Sequence, residues 1–141
     1  MRKKCLVENN TFILPAVQSL LPQLGREDTA AIVTHLPRLK ARLAHLSAAM
    51  PGMQHSIAIK TNPHAQLLRT LVEFGYGLEA ASIEEVRRAK AAGCPVNQIV
   101  FDSPVKTRYE IAEVAYEKGM LVNVNTLEEL KRFPSDATCI L

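Results

Sequence analysis

From about residue 30 onward, short apolar runs alternate with longer segments in which apolar residues recur every three or four positions. Short runs are typical of buried β-strands, and the longer spacing is typical of amphipathic helices. The stripe through Leu36, Leu39, Leu43 and Leu46 is one example of the helical spacing. The pattern predicts strands near residues 30–34, 56–60, 77–81, 98–102 and 120–124, each followed by a helix, with a sixth strand near 137–141.

Polar residues mark where the predicted helices begin and end. A hydroxyl residue followed three positions later by glutamate is typical of a capping box, which satisfies free backbone donors at a helix start. Glycine is typical of the position just after a helix. The capping boxes are predicted at Ser82–Glu85, Thr107–Glu110 and Thr126–Glu129, and the helix ends at Gly75, Gly93 and Gly119.

Repeated strand–helix units predict a parallel sheet with helical crossovers. Both a doubly wound sheet and a (β/α)8 barrel fit this pattern, and the absence of a Gly-x-Gly-x-x-Gly turn favours the barrel. A full barrel needs about 250 residues, whereas the chain has 141. We therefore expect an α/β fold, the amino-terminal portion of a (β/α)8 TIM barrel, incomplete and with an open sheet edge. Residues 1–25 are interpreted as an extension, and residues 26–141 as the partial barrel domain.

Composition narrows the class of protein. Hydrophobic residues make up 48% of the chain and charged residues 22%, which is ordinary for a globular domain. A net charge of +3 is too small to indicate a nucleic-acid surface, and no apolar run is long enough to predict a membrane span. The three cysteines are far apart and the histidines lack metal-ligand spacing, so we expect reduced thiols, no metal site and a cytoplasmic location.

Lys60 is the leading candidate for chemistry. It ends the apolar run 56–59 and is followed by Thr61-Asn62-Pro63. In α/β barrels the carboxyl ends of the strands face the active site, and a partly desolvated lysine amine there is suited to forming an imine with a carbonyl group. The alternative is a solvated lysine in a loop.

Carboxylates follow the next predicted strand, at Glu79 and Glu85. Both suit imine chemistry, because a carboxylate can take the proton of the lysine or orient a charged imine. Each has a structural alternative, since Glu79 can point to solvent and Glu85 can serve only the helix cap. Asp102-Ser103-Pro104 is either part of the site or a turn, and in the second case Lys106 is a surface lysine.

Four segments together resemble the pyridoxal-phosphate-dependent amino-acid decarboxylases, the ornithine, lysine and diaminopimelate group with the alanine-racemase-type barrel. The segment around Lys60 is similar to the family motif Tyr-Ala-Val-Lys-Ala-Asn. The other segments are similar to Gly-Phe-Asp-Val-Ala-Ser-x-x-Glu, to a strand followed by Pro-x-Lys, and to Val-Asp-Ser-x-x-Glu-Leu. They lie at Gly77 to Glu85, Ile99 to Lys106 and Val124 to Leu130.

This resemblance implies that Lys60 is the catalytic lysine that binds pyridoxal 5'-phosphate, with Glu79, Ser82 and Glu85 as further cofactor-binding residues. Glu79 stands where the family has aspartate, so the charge is kept with a longer reach. Asn125 also replaces an aspartate, which removes any charge-dependent role there. In the family, the glycine-rich phosphate loop, the partner of the pyridine nitrogen and the second domain that contributes to a dimer all lie later in the chain.

The resemblance thus implies decarboxylation of a basic amino acid such as ornithine, lysine, arginine or diaminopimelate, in amino-acid metabolism or polyamine biosynthesis. It also implies a homodimer acting on a small amino-acid substrate. The 141-residue chain is expected to be an inactive piece of such an enzyme. Two alternatives remain, a small pyridoxal-phosphate carrier barrel and a non-catalytic regulatory relative.

Overall fold

The structure, a computed structural model, describes residues 13–27 and 32–141. The chain divides into two compact units, residues 1–46 and 47–141. The first unit contains helix α1 (Ile13–Leu20), a 3₁₀ turn (Leu21–Gln23) and most of helix α2 (Leu36–Ala49). The apolar stripe of α2 includes Leu43, which is buried. The predicted domain boundary between residues 25 and 26 stays a prediction.

The strand predicted near 30–34 is only partly covered by the described residues, because residues 30 and 31 lie outside them. Residues 32–34 do not form a strand, so the prediction is wrong for this part. Ile32 is almost fully exposed. An apolar run becomes a strand only where a neighbouring strand takes up its backbone hydrogen bonds.

The second unit is built on a parallel sheet of four strands. They are β1 (Ser56–Ala58), β2 (Gly77–Ala80), β3 (Ile99–Phe101) and β4 (Leu121–Val122), arranged in chain order. These four strands and their parallel pairing confirm the prediction. A sheet whose order follows the chain, without a reversal, is that of a barrel rather than a doubly wound sheet.

A helix follows each of these strands. These helices are α3 (Ala65–Glu73), α4 (Ile83–Ala91), α5 (Arg108–Val114) and α6 (Leu127–Leu130). Gly75 and Gly93 follow α3 and α4 with φ of 81° and 85°, a conformation that glycine adopts without steric cost. None of the helices in the described part of the chain has the length and apolar character needed to span a bilayer.

The sixth predicted strand is reduced to one bridge. Ile140 runs parallel to β4 and pairs with Leu121. Its N–H donates to the Met120 carbonyl at 2.8 Å, and the Val122 N–H donates to the Ile140 carbonyl at 2.8 Å. The segment around Ile140 therefore forms the edge of the sheet beside β4.

The two faces of the sheet differ in burial. The buried face carries Leu78, Ala80, Ile99, Phe101 and Val122, none more than 1% exposed, and α4 packs on β2 and β3. On the opposite face, one row of the register is partly exposed at all four positions, Ala58, Glu79, Val100 and Leu121. In a closed barrel the face away from the helices lines the interior, so Glu79 lies on the face that would line the barrel.

One of the three predicted capping boxes has the reciprocal geometry. Thr107 accepts from the Glu110 N–H, and Glu110 accepts from the Thr107 N–H. Glu85 and Glu129 instead accept from the N–H of the residue before the cap, Ala81 at 2.8 Å and Asn125 at 2.9 Å. These two N–H groups lie where the chain leaves a strand, and the carboxylates supply the acceptors that they need.

Candidate active site

Lys60 lies in a 3₁₀ turn (Ile59–Thr61) directly after β1. Two hydrogen bonds hold this turn, from Thr61 Oγ1 to the Ala58 carbonyl at 2.7 Å and from the Asn62 N–H to the Ile59 carbonyl at 3.0 Å. Ile59 is fully buried and anchors the turn in the core. The predicted strand 56–60 thus ends at Ala58, and the lysine follows the carboxyl end of the strand with 62% of its side chain exposed.

Glu79 is the carboxylate that the fold brings to Lys60. The register pairs Ala58 with Glu79, so the residues after β1 lie beside the end of β2. The distance from Lys60 Nζ to Glu79 Oε1 is 3.6 Å, and 27% of the Glu79 side chain is exposed. At this distance the two groups form an ion pair rather than a hydrogen bond, and the lysine amine stays open to solvent on one side.

Ser82 and Glu85 stand at the start of α4, and their polar groups satisfy backbone donors. Ser82 accepts from the Glu85 N–H at 3.3 Å, and Glu85 Oε2 accepts from the Ala81 N–H. The structural alternative for Glu85 therefore has direct support. Contact of either side chain with a cofactor stays a prediction.

Lys106 differs most from the sequence-based expectation. Its side chain is 0% exposed, so Lys106 is not the surface lysine expected if Asp102-Ser103-Pro104 is only a turn. Its ammonium donates to the Ser103 carbonyl at 2.8 Å and to the Asn123 carbonyl, and its Nζ lies 3.1 Å from Glu129 Oε1. The segment after β3 is thus tied to the segment after β4 rather than free in solvent.

The Lys106–Glu129 contact is an ion pair rather than a well-directed hydrogen bond. Glu129 Oε1 lies within ion-pair distance, yet it makes no hydrogen bond of acceptable geometry. Attraction between two buried charges depends mainly on their separation, so the pair is held by charge without a directed hydrogen bond. Asn125 Nδ2 adds a link to the Ser103 carbonyl at 3.0 Å.

The sequence patterns did not predict the buried Lys106–Glu129 pair. The Pro-x-Lys turn after β3 placed Lys106 near the strand end, but neighbouring residues do not reveal the direction of a side chain. Glu128 and Glu129 are adjacent in the same helical turn, and only the position three residues after the Thr126 cap distinguishes Glu129. That capping position directs its carboxylate back toward the strand ends.

Comparison with known proteins gives matches that agree on one family of decarboxylases. The family profile described as "Pyridoxal-dependent decarboxylase, pyridoxal binding domain" matches residues 36–138. The ornithine decarboxylase of Panagrellus redivivus is 30% identical over 136 residues, 94% of this chain and 31% of that protein. The diaminopimelate decarboxylase of Deinococcus radiodurans is 32% identical over 96 residues, 68% of this chain and 25% of that protein.

A solved structure supports the fold. The ornithine decarboxylase from Entamoeba histolytica superposes with a TM-score of 0.72 at 18% identity, covering 92% of this chain and 41% of that one. At this identity the likeness concerns the fold alone. The chain spans less than a third of the length of the curated relatives named above.

Proposed function

The chain belongs to the pyridoxal-dependent decarboxylase family, as a pyridoxal-binding domain, and we propose that Lys60 is the residue that holds pyridoxal 5'-phosphate. We further propose that the parent activity is decarboxylation of a basic amino acid. The single observation that carries the proposal is the Lys60–Glu79 pair, an exposed amine 3.6 Å from a carboxylate at the carboxyl ends of β1 and β2.

The residues present fit the cofactor in chemical terms. An aldehyde needs an amine that it can reach, and the Lys60 side chain is more exposed than buried. When bound, the cofactor supplies an electron sink that stabilises the electron pair left behind when carbon dioxide departs. A lysine is protonated at neutral pH, so the amine needs a nearby proton acceptor before it can act as a nucleophile.

Glu79 positions this amine. Its negative charge holds the Lys60 ammonium at the edge of the sheet when no ligand is bound, and solvent can take the proton because the amine is exposed. Ser82 and Glu85 fix the start of α4 next to the end of β2. We propose them as cofactor-binding residues that act mainly by fixing this backbone.

The substrate class is a proposal that rests on the names of the relatives, which include ornithine and diaminopimelate decarboxylases. We propose a basic amino acid as substrate, a homodimer as the working assembly and polyamine or amino-acid metabolism as the setting. The free thiols of Cys94 and Cys139 support a reducing, cytoplasmic location. We propose residues 26–141 as the cofactor domain, within which the family profile matches residues 36–138, and residues 1–25 as an extension.

The test combines cofactor attachment with turnover. Pyridoxal 5'-phosphate is added to the 141-residue chain, borohydride is used to make the attachment permanent, and the cofactor retained per chain is measured. We expect Lys60→Ala to lower retention and Lys131→Ala, at an exposed lysine, to leave it nearly unchanged. Equal retention in both variants would refute the role of Lys60.

We expect no carbon dioxide release from ornithine, lysine, arginine or diaminopimelate by this chain, since four strands are half of a closed barrel.

A further inference from the structure

Two lysines follow strands at the same edge of the sheet, and their amines lie in opposite surroundings. Lys60 follows β1 and has 62% of its side chain exposed, whereas Lys106 follows β3 and has none. An aldehyde reacts with any neutral amine that it can reach. The surroundings of the two amines, and not only their position after a strand, therefore decide which lysine is modified.

The Lys106 ammonium makes two hydrogen bonds and one ion pair. A lysine ammonium has three N–H donors. Two of them point to the Ser103 and Asn123 carbonyls, and the Nζ atom lies 3.1 Å from Glu129 Oε1. The nearby ring of Phe101, with its centroid 5.4 Å from Nζ, adds a further favourable contact for the charge.

Glu129 is itself held in place from two sides. Its backbone N–H donates to Thr126 Oγ1 at 3.1 Å, which fixes the start of α6. Its Oε2 atom accepts from the Asn125 N–H at 2.9 Å. The other carboxylate oxygen is thereby left facing Lys106, and only 7% of the Glu129 side chain is exposed.

We propose that Glu129 is a positioning residue that sequesters Lys106 and so leaves Lys60 as the lysine that reacts with the cofactor at this edge. The proposal rests on the proposed function. A buried ammonium without a carboxylate partner is strongly disfavoured. Without Glu129 the Lys106 amine either loses its proton or moves to solvent, and both changes make it reactive toward an aldehyde.

Attachment of the aldehyde to a lysine releases one molecule of water. The nitrogen of the neutral lysine bonds to the aldehyde carbon, and the aldehyde oxygen leaves as water with the two protons of the amine. Borohydride then delivers a hydride to the same carbon, solvent supplies a proton to nitrogen, and the product is a stable secondary amine that peptide mapping can locate.

The first experiment compares matched glutamates. Glu129→Gln keeps the size of the side chain and an oxygen for the Asn125 N–H, whereas Glu128→Gln makes the same charge change at a neighbour whose side chain is 74% exposed. After addition of pyridoxal 5'-phosphate and borohydride, we expect the ratio of label on Lys106 to label on Lys60 to rise about tenfold in Glu129→Gln, as expected for loss of a charged contact. Glu128→Gln should leave this ratio unchanged, and Glu129→Asp should restore most of the selectivity. An unchanged ratio in folded Glu129→Gln would overturn the proposal.

A second experiment on the unmodified chain covers the case in which Glu129→Gln does not fold. Formaldehyde with cyanoborohydride methylates accessible lysines without any cofactor. We expect Lys106 to react at least about tenfold more slowly than Lys131, because a buried amine must first become exposed by local opening. Equal rates would refute sequestration. If the cofactor fails to label Lys60 while Lys106 remains protected from formaldehyde, the proposed function fails and the sequestration stands.

Discussion

Replacement of Lys106 by methionine is the perturbation whose energetic consequence the structure defines best. Methionine keeps an unbranched side chain and removes the ammonium. Glu129 then remains as a carboxylate with 7% exposure and no positive partner. The Ser103 and Asn123 carbonyls also lose the donor that they share.

The expected cost follows from the burial of the pair. Breaking a buried ion pair by removing one partner destabilises a protein by about 3–5 kcal/mol. The same substitution at Lys131, whose partner Glu128 is 2.6 Å away in an exposed pair, should cost less than about 1 kcal/mol. The two variants make the same chemical change at nearby positions, so the difference between them measures burial.

The double variant Lys106→Met/Glu129→Met separates the ion pair from the space that it fills. Replacing a buried pair by apolar residues of similar size is often neutral or stabilising. We therefore expect the double variant to be more stable than Lys106→Met alone.

Urea denaturation followed by circular dichroism measures all of these changes. With a typical slope, the Lys106→Met midpoint should fall by about 2 M relative to the unmodified chain. A shift for Lys106→Met no larger than that for Lys131→Met would show that burial does not strengthen the Lys106–Glu129 pair, and additive losses in the double variant would show that the two charges are not coupled.

Three further outcomes follow from other parts of the chain. A Cβ on Gly77 would lie 2.4 Å from the Gln98 carbonyl oxygen, so we expect Gly77→Ala to destabilise the sheet by about 1–3 kcal/mol in urea denaturation. The hydrogen bond from Arg87 lowers the pKa of Glu113 below its ordinary value of 4.5. The stability that this bond adds is present above pH 4.5 and is lost as the pH falls through the lowered pKa. We therefore expect Arg87→Gln to lose less stability than the unmodified chain when the pH is lowered in a denaturation series. The open edge of the sheet at the segment around Ile140, which is exposed, predicts self-association, and sedimentation that shows only monomer at micromolar concentration would contradict it.

The sheet was predictable because its signals are local. Short apolar runs, capping hydroxyls and helix-ending glycines each depend on residues close in the chain, and they agreed at β1 to β4. The strand extents were less predictable, because they depend on neighbours. The run at 56–60 stops as a strand at Ala58, where the chain turns. Residues 32–34 form no strand, although Ile32 and Val33 are apolar.

The candidate site was also predictable where it depends on the order of the strands, and not where it depends on distant side chains. Lys60 and Glu79 were identified because the ends of consecutive parallel strands lie side by side, and the structure brings their charges within 3.6 Å. The burial of Lys106 was not predictable, because its partners are distant in sequence. The Asn123 carbonyl lies 17 residues and the Glu129 carboxylate 23 residues further along the chain. Two lysines with the same relation to a strand thus have different surroundings.

Locating the attached cofactor on the chain tests the role of Lys60 most directly. Pyridoxal 5'-phosphate is added at less than one equivalent, borohydride makes the attachment permanent, and the share of label on each lysine is determined by peptide mapping. We expect the largest share on Lys60, because its amine is exposed and follows the carboxyl end of β1. A share on Lys60 no greater than that on the exposed Lys131 would contradict the assignment of Lys60 as the cofactor lysine.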